Sequence, residues 1–165
     1  VPENNYETMI CEFMKSRTKK DFVLVTNVEN NKFYDVLKQK TGFDKDNRIK
    51  FVGTVYDQQL LKKIREEAYA YFHGHEVGGT NPSLLEALAS TDVNLLVDVS
   101  FNREVAEDSA MYWSKDDGEL CKLIDKSDNM LDDYRAFLAQ KSTERITDEF
   151  SWTKIISDYE KILRV

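Results

Sequence analysis

At 165 residues the chain has the size of one domain with a substantial core. A net charge of −7, with Lys and Arg dispersed, excludes a broad surface for nucleic acid or anionic membrane. No apolar run approaches the roughly 20 residues of a membrane span, no signal peptide is visible, and the well-separated Cys11 and Cys121 read as free thiols of a reducing, cytoplasmic setting.

Hydrophobic periodicity then gives an alternation of helices and strands. Residues 6–15 form an amphipathic helix with Met9, Ile10, Phe13 and Met14 inward, and 22–26 a short apolar strand. A helix over 31–40 (Phe33, Val36, Leu37) leads to a strand at 49–52 that ends on Gly53. Asp57 is the expected N-cap of a helix over 57–68 (Leu60, Leu61, Ile64), followed by a strand at 69–72. A helix over 82–89 and a strand at 93–97 come next, then a short segment at 102–107 and a small strand at 110–113. From Asp116 the alternation stops, and 116–125, 129–144 and 151–163 read as consecutive helices. Short apolar strands separated by helices are the mark of βαβ units. The expected fold is therefore α/β: a Rossmann-like, doubly wound parallel sheet with a helical C-terminal tail, forming a single domain over 1–165.

In such sheets a ligand lies beyond the carboxyl ends of the strands. Four exits should share that rim: Thr26-Asn27, Gly53-Thr54-Val55, residues 73–81, and residues 98–102. The third is the richest. Both histidines and three of the six glycines fall in His73-Gly74-His75-Glu76-Val77-Gly78-Gly79-Thr80-Asn81-Pro82. Asn81 and Pro82 write out a helix start, and a glycine turn entering a helix is suited to a phosphate or sugar-phosphate. No Lys-Ser/Thr follows, so it is not a Walker loop, and the spacing of the dinucleotide fingerprint is absent.

Glu86 lies in the helix after the turn, among Leu84, Leu85, Ala87 and Leu88, which leave it little solvent and call for a polar partner such as sugar hydroxyls. The plainer reading is a solvated helix residue. His73 and His75 alternate as strand residues do and should share a face. With Glu76 they could be metal ligands, phosphate donors or a general acid, or a histidine could simply be satisfied in the core.

The stretch from Glu76 to Ala87 resembles the C-terminal nucleotide-sugar domain of retaining GT-B glycosyltransferases of family four, group one type. These share a Glu-x-Gly-x-Gly-like turn and a helix beginning Pro-x-Leu-Leu-Glu-Ala. The wording is most similar to bacterial rhamnosyltransferase-type polysaccharide enzymes. Arg48-Ile49-Lys50-Phe51-Val52-Gly53-Thr54-Val55 resembles the family's strand and glycine before the base-binding loop. Arg103-Glu104-Val105-Ala106-Glu107-Asp108-Ser109-Ala110 and Phe150-Ser151-Trp152 resemble two further markers, in the same order. The chain departs in having nine residues between Glu76 and Glu86 where the family has seven, so strict spacing falls on Gly78. Asn4-Asn5 stand where a Lys is usual.

The resemblance implies one half of a GT-B fold. Glu86 would bind ribose hydroxyls, Gly78, Gly79, Thr80 and Asn81 would face sugar and diphosphate, and Gly53, Thr54 and Val55 would edge the base. Glu76 and His75 would be the catalytic candidates, with neither metal nor cofactor. The opening at Val1, without an initiator Met, reads as a fragment whose N-terminal acceptor domain is missing and which is inactive alone. The implied partners are a nucleoside-diphospho sugar, that domain, and a saccharide or lipid-linked acceptor, peripheral at the inner membrane and building capsule-type polysaccharide. The rival is a non-catalytic doubly wound regulatory or ligand-binding module. A receiver-like domain would need an acidic cluster and a Lys that the exits at Thr26-Asn27 and Asp98-Val99-Ser100 do not supply.

Overall fold

The computed structural model describes residues 4–28 and 31–163; Val1, Pro2 and Glu3, where the sequence opens, lie outside them. The chain runs α1 (Tyr6–Lys15), β1 (Phe22–Leu24), α2 (Lys32–Thr41), β2 (Ile49–Phe51), α3 (Gln58–Glu67), β3 (Tyr71–His73), α4 (Pro82–Leu88), β4 (Asn94–Val97), α5 (Ser100–Ala106), β5 (Met111–Trp113), α6 (Glu119–Asp128), α7 (Asp132–Glu149) and α8 (Trp152–Leu163). All strand pairings are parallel, as the βαβ pattern requires. Among the described residues no helix is long and apolar enough to cross a membrane.

The middle strand β4 shows why its sequence is apolar throughout. Leu95 and Val97 face a cluster built with Met9, Ile10 and Phe13 of α1, Trp113 of β5 and Leu120 and Ile124 of α6. Leu96 faces the other way, into Leu84 and Leu88 of α4 and Val105 and Ala106 of α5, with Ile146 of α7 alongside. Both faces are covered by helices, so no position on the strand meets water.

Hydrogen bonding divides the expected single sheet into β1–β2 and β3–β4–β5. The two groups meet through aromatic rings instead: Phe22 lies 4.7 Å from Phe72 and 5.1 Å from Phe13, centroid to centroid. Strand β3 also begins two residues later than its composition suggests. Tyr69 is drawn away by distant groups. Its hydroxyl donates to the Ser127 carbonyl at 2.7 Å, and Lys20 and Arg135 stack on its ring at 3.9 and 4.4 Å.

Helix ends follow local chemistry. The Asp57 carboxylate accepts from the N–H groups of Gln59 and Leu60 at 2.8 and 3.1 Å, as its N-cap role demands. The Ser151 hydroxyl accepts from the Lys154 N–H ahead of α8. The expected helix from Asp116 starts instead at Glu119, because Gly118 adopts φ +82° and breaks the run. Gly118 has no side chain to cap α6, and the buried Glu12 of α1 does so from outside. It accepts from the N–H groups of Gly118 and Cys121, each at 3.1 Å.

Candidate functional site

The segment after β3 is fixed by the start of the chain. A Cβ on Gly74 would lie 2.3 Å from the Asn4 carbonyl oxygen, so only glycine fits there. Asn5 donates from Nδ2 to the Gly74 carbonyl at 2.8 Å, and Asn4 Oδ1 lies 2.9 Å from His75 Nδ1. The close approach that a glycine after Phe72 permits is thus made by this chain's own backbone. The fully buried Asn102 completes the joint, donating to the carbonyls of His75 at 3.1 Å and Val97 at 3.0 Å. It ties the exits of β3 and β4 together.

The two histidines part company, which corrects the expectation of a shared strand face. Strand β3 ends at His73, which is 4% exposed, while His75 lies in the loop beyond it. Their rings remain neighbours, 6.2 Å apart and edge to face. Nε2 of His73 is buried and has no hydrogen-bond partner among the described residues. Burial, and then the neighbouring His75, push its pKa down to about 4. His73 is therefore a core histidine, kept neutral. Because its folded pKa lies below the ordinary 6.5, the stability it contributes is present above pH 6.5 and lost as pH falls towards 4. That loss should reach about 3 kcal/mol across the window, and His73→Phe should flatten it. Urea midpoints at pH 7 and pH 4.5 for both proteins measure the difference, and parallel profiles would show that His73 does not titrate in this way.

Glu76 is the next rim residue. Its Oε2 accepts from Lys115 Nζ at 2.6 Å. The Lys115 ammonium, with Asn5 as a second donor, holds the Glu76 carboxyl below the usual carboxylate range. Beyond it Val77, Gly78, Gly79 and Thr80 are exposed, and Gly78 takes φ +91° with open space where a side chain would be. Asn81 then accepts from the Ser83 N–H at 2.9 Å, with Pro82 at the first helical position, so the cap is formed as written in the sequence.

The exit of β2 turns at Gly53, φ +76°, also with nothing near its missing Cβ. Thr54 and Val55 line a cleft of about 940 Å³ together with Leu60, Ile64 and Arg65 of α3 and Ser83 of α4. The exits of β1, at Val25, and of β2 therefore open on one space, which reaches α4 at Ser83 but is lined by none of residues 73–82. Helix α3 stands off the sheet across it and buries none of its residues.

Glu86 differs from expectation. Leu84, Ala87 and Leu88 are buried on one face of α4, which leaves Glu86 on the opposite face, with its side chain 49% exposed. Its Oε2 is 2.8 Å from Nη2 of Arg65, which is only 12% exposed. The carboxylate already has a partner, and one edge of it remains open to solvent. Among the described residues no three His, Cys, Asp or Glu side chains converge as metal ligands would.

Lys115 and Arg65 escaped the sequence reading, and Asn102, though inside the expected exit at 98–102, was given no role of its own. Lys115 carried a usable signal, since it lies two residues past the small strand at 110–113 and so belongs to a fifth exit of the same rim. Asn102 and Arg65 carried none, because their partners are set by packing.

No family model matches the sequence, and no curated protein matches it at a significant level. Solved structures do. The chain is similar to Anabaena Alr3699/HepE in complex with UDP, with a TM-score of 0.80 and 16% identity over 99% of this chain and 46% of that one. It is similar to an α,α-trehalose-phosphate synthase (UDP-forming) from Burkholderia vietnamiensis, TM-score 0.74, 11% identity, over 98% of this chain and 42% of that one. It is also similar to the C-terminal domain of a glycosyl transferase group 1 family protein, LpcC, from Francisella tularensis, TM-score 0.69, 15% identity, over 92% and 82% of the two chains. At these identities the likeness is one of fold: an α/β domain of the kind that makes up half of a GT-B glycosyltransferase. Matched over 99% of its own length, the chain spans 46% of the length of HepE.

Proposed function

We propose that this domain is the donor-binding half of a retaining glycosyltransferase that holds a nucleoside-diphospho sugar at the strand exits and presents it to an acceptor bound by another domain. The observation that carries this is the exposed turn of Gly78 and Gly79 leading into the Asn81-capped α4, with a second open glycine turn at Gly53 following another of the parallel strands. The fold supports it, since the HepE structures contain UDP, UDP with glucose, or UDP-glucose. In this reading Gly53, Thr54 and Val55 edge the base. Glu86 offers its open carboxylate edge to the ribose. Gly78, Gly79, Thr80 and Asn81 face the sugar and diphosphate, and His75 and Glu76 stand at the reacting end. The donor sugar is a hexose or deoxyhexose such as rhamnose, glucose or mannose. The acceptor is a growing bacterial cell-surface polysaccharide of rhamnosyltransferase-type pathways, assembled at the cytoplasmic face of the inner membrane. The leaving diphosphate is stabilised electrostatically and without a metal.

Calorimetry with UDP and dTDP tests this. Charge-assisted hydrogen bonds contribute roughly 1.5–3 kcal/mol, so Glu86→Gln should weaken binding at least about tenfold, while loss of the Arg65 counter-charge lowers the melting temperature only modestly because Glu86 is half exposed. EDTA should leave the affinity of the unaltered protein where it was. Unchanged affinity with a lower melting temperature would make Glu86 a structural partner of Arg65. Restoration of binding by Mg²⁺ or Mn²⁺ would reject the metal-free site.

A further inference from the structure

We infer that Lys115 binds the diphosphate of the donor, exchanging its Glu76 partner for phosphate when the donor arrives and releasing Glu76 towards the sugar. The inference rests on the donor-site reading above and assigns the charge that reading lacks.

A diphosphate needs a formal positive charge, and the turn supplies little field of its own. Helix α4 has only seven residues, and its first N–H groups are in part taken by Asn81. Asn4 and Asn5, pinned to the loop after β3, are neutral. The charge must come from a side chain at the rim. Among the described residues, Arg103 and Lys115 are paired with the exit carboxylates Asp98 and Glu76, Arg65 with Glu86 of α4, and Lys15 is held between two carboxylates, Glu12 and the Asp117 that follows β5; the four differ in freedom.

Arg103 is forked onto Asp98, with Nη2 2.7 Å from Oδ2, and its guanidinium lies 4.2 Å from the Tyr112 ring centroid. Two anchors fix it. Arg65 is largely buried against Glu86. Lys115 has one carboxylate partner, is 52% exposed, and carries its charge on a flexible stem with three rotatable donors. It is the cation that can change partners at least cost.

Its partner stands where the exchange is useful. Glu76 is two residues before Gly78, and the backbone around it is held from three sides: by Asn4 and Asn5, by the close fit at Gly74, and by Asn102 on the His75 carbonyl. An ammonium drawn to that carboxylate is held by a residue two positions before Gly78. A diphosphate carries more charge than one carboxylate and competes well for a lysine, which is a common phosphate ligand. Glu76 then keeps Asn5 as a donor and gains a free oxygen for sugar hydroxyls.

The test compares UDP with uridine on three proteins. Lys115→Met keeps the apolar stem, and should weaken UDP binding at least about tenfold while uridine binding, read by NMR on the same samples, is unchanged. Glu76→Gln removes the competitor and should tighten UDP severalfold. A pair that merely holds the loop in shape would weaken UDP and uridine binding in both variants, and that overturns the inference. So does unaltered UDP affinity in Lys115→Met. Failure of the unaltered protein to bind UDP or uridine at all would overturn the donor-site reading itself, and this inference with it.

Discussion

Replacing Arg48 by methionine should cost the fold about 3 kcal/mol, one of the largest losses available from a residue outside the apolar core. Arg48 closes the C-terminal end of α1. Its Nη1 donates to the carbonyls of Ser16 at 3.0 Å and Thr18 at 2.8 Å, and Nη2 to that of Met14 at 3.2 Å. The same group is paired with Asp46 at 2.6 Å, both side chains being mostly buried, and its guanidinium lies over the Phe13 ring. A cation at the carbonyl end of a helix is favoured by the dipole, and several carbonyls share it here. Its removal strands those carbonyls and leaves the Asp46 carboxylate without a counter-charge, a change that costs several kcal/mol when the pair is buried. For a domain of this size the melting temperature should fall by about 6–12 °C. The milder substitution Arg48→Lys should recover little, since one ammonium cannot fork to Asp46 and the carbonyls together. A loss below about 1 kcal/mol by urea unfolding of the methionine variant would show that α1 ends securely without the guanidinium.

Gly74→Ala should act on stability and site at once. A methyl group 2.3 Å from the Asn4 carbonyl oxygen cannot be accommodated by a side-chain rotation, because the obstacle is backbone. The segment at Asn4 and Asn5 must move away, which breaks the Asn5 bond to the Gly74 carbonyl and the contact of Asn4 with His75. Overpacking of this kind costs about 1–3 kcal/mol. Because the displaced Asn5 also serves Glu76, nucleotide-sugar affinity should fall with it. Gly79→Ala is the control, with open space around its missing Cβ. Similar melting temperatures for the two variants would mean that the N-terminal segment does not hold the loop.

What could be read from the sequence was what neighbours in the sequence decide. Asn81-Pro82 and Asp57 announced their helices because a cap is made within three residues. The apolar run of β4 announced a strand covered on both faces. What could not be read depends on partners far along the chain. Tyr69 leaves its strand for Ser127, 58 residues away, and Glu12 caps a helix 106 residues on. The pairing of Glu76 with Lys115 spans 39 residues. Glu86 shows a different limit. Its apolar neighbours suggested burial, but α4 is short and covered on one side only, so the residues on its other face remain in water.

Titration of the isotope-labelled domain with UDP, followed by amide chemical shifts, tests the donor site most directly. The account predicts shifts at Gly53, Thr54 and Val55, and at His75, Gly78, Gly79 and Thr80. Lys115 should move with them, and the helices α6 and α7 should stay quiet. Shifts confined to α6 and α7, or none at saturating UDP, would contradict it.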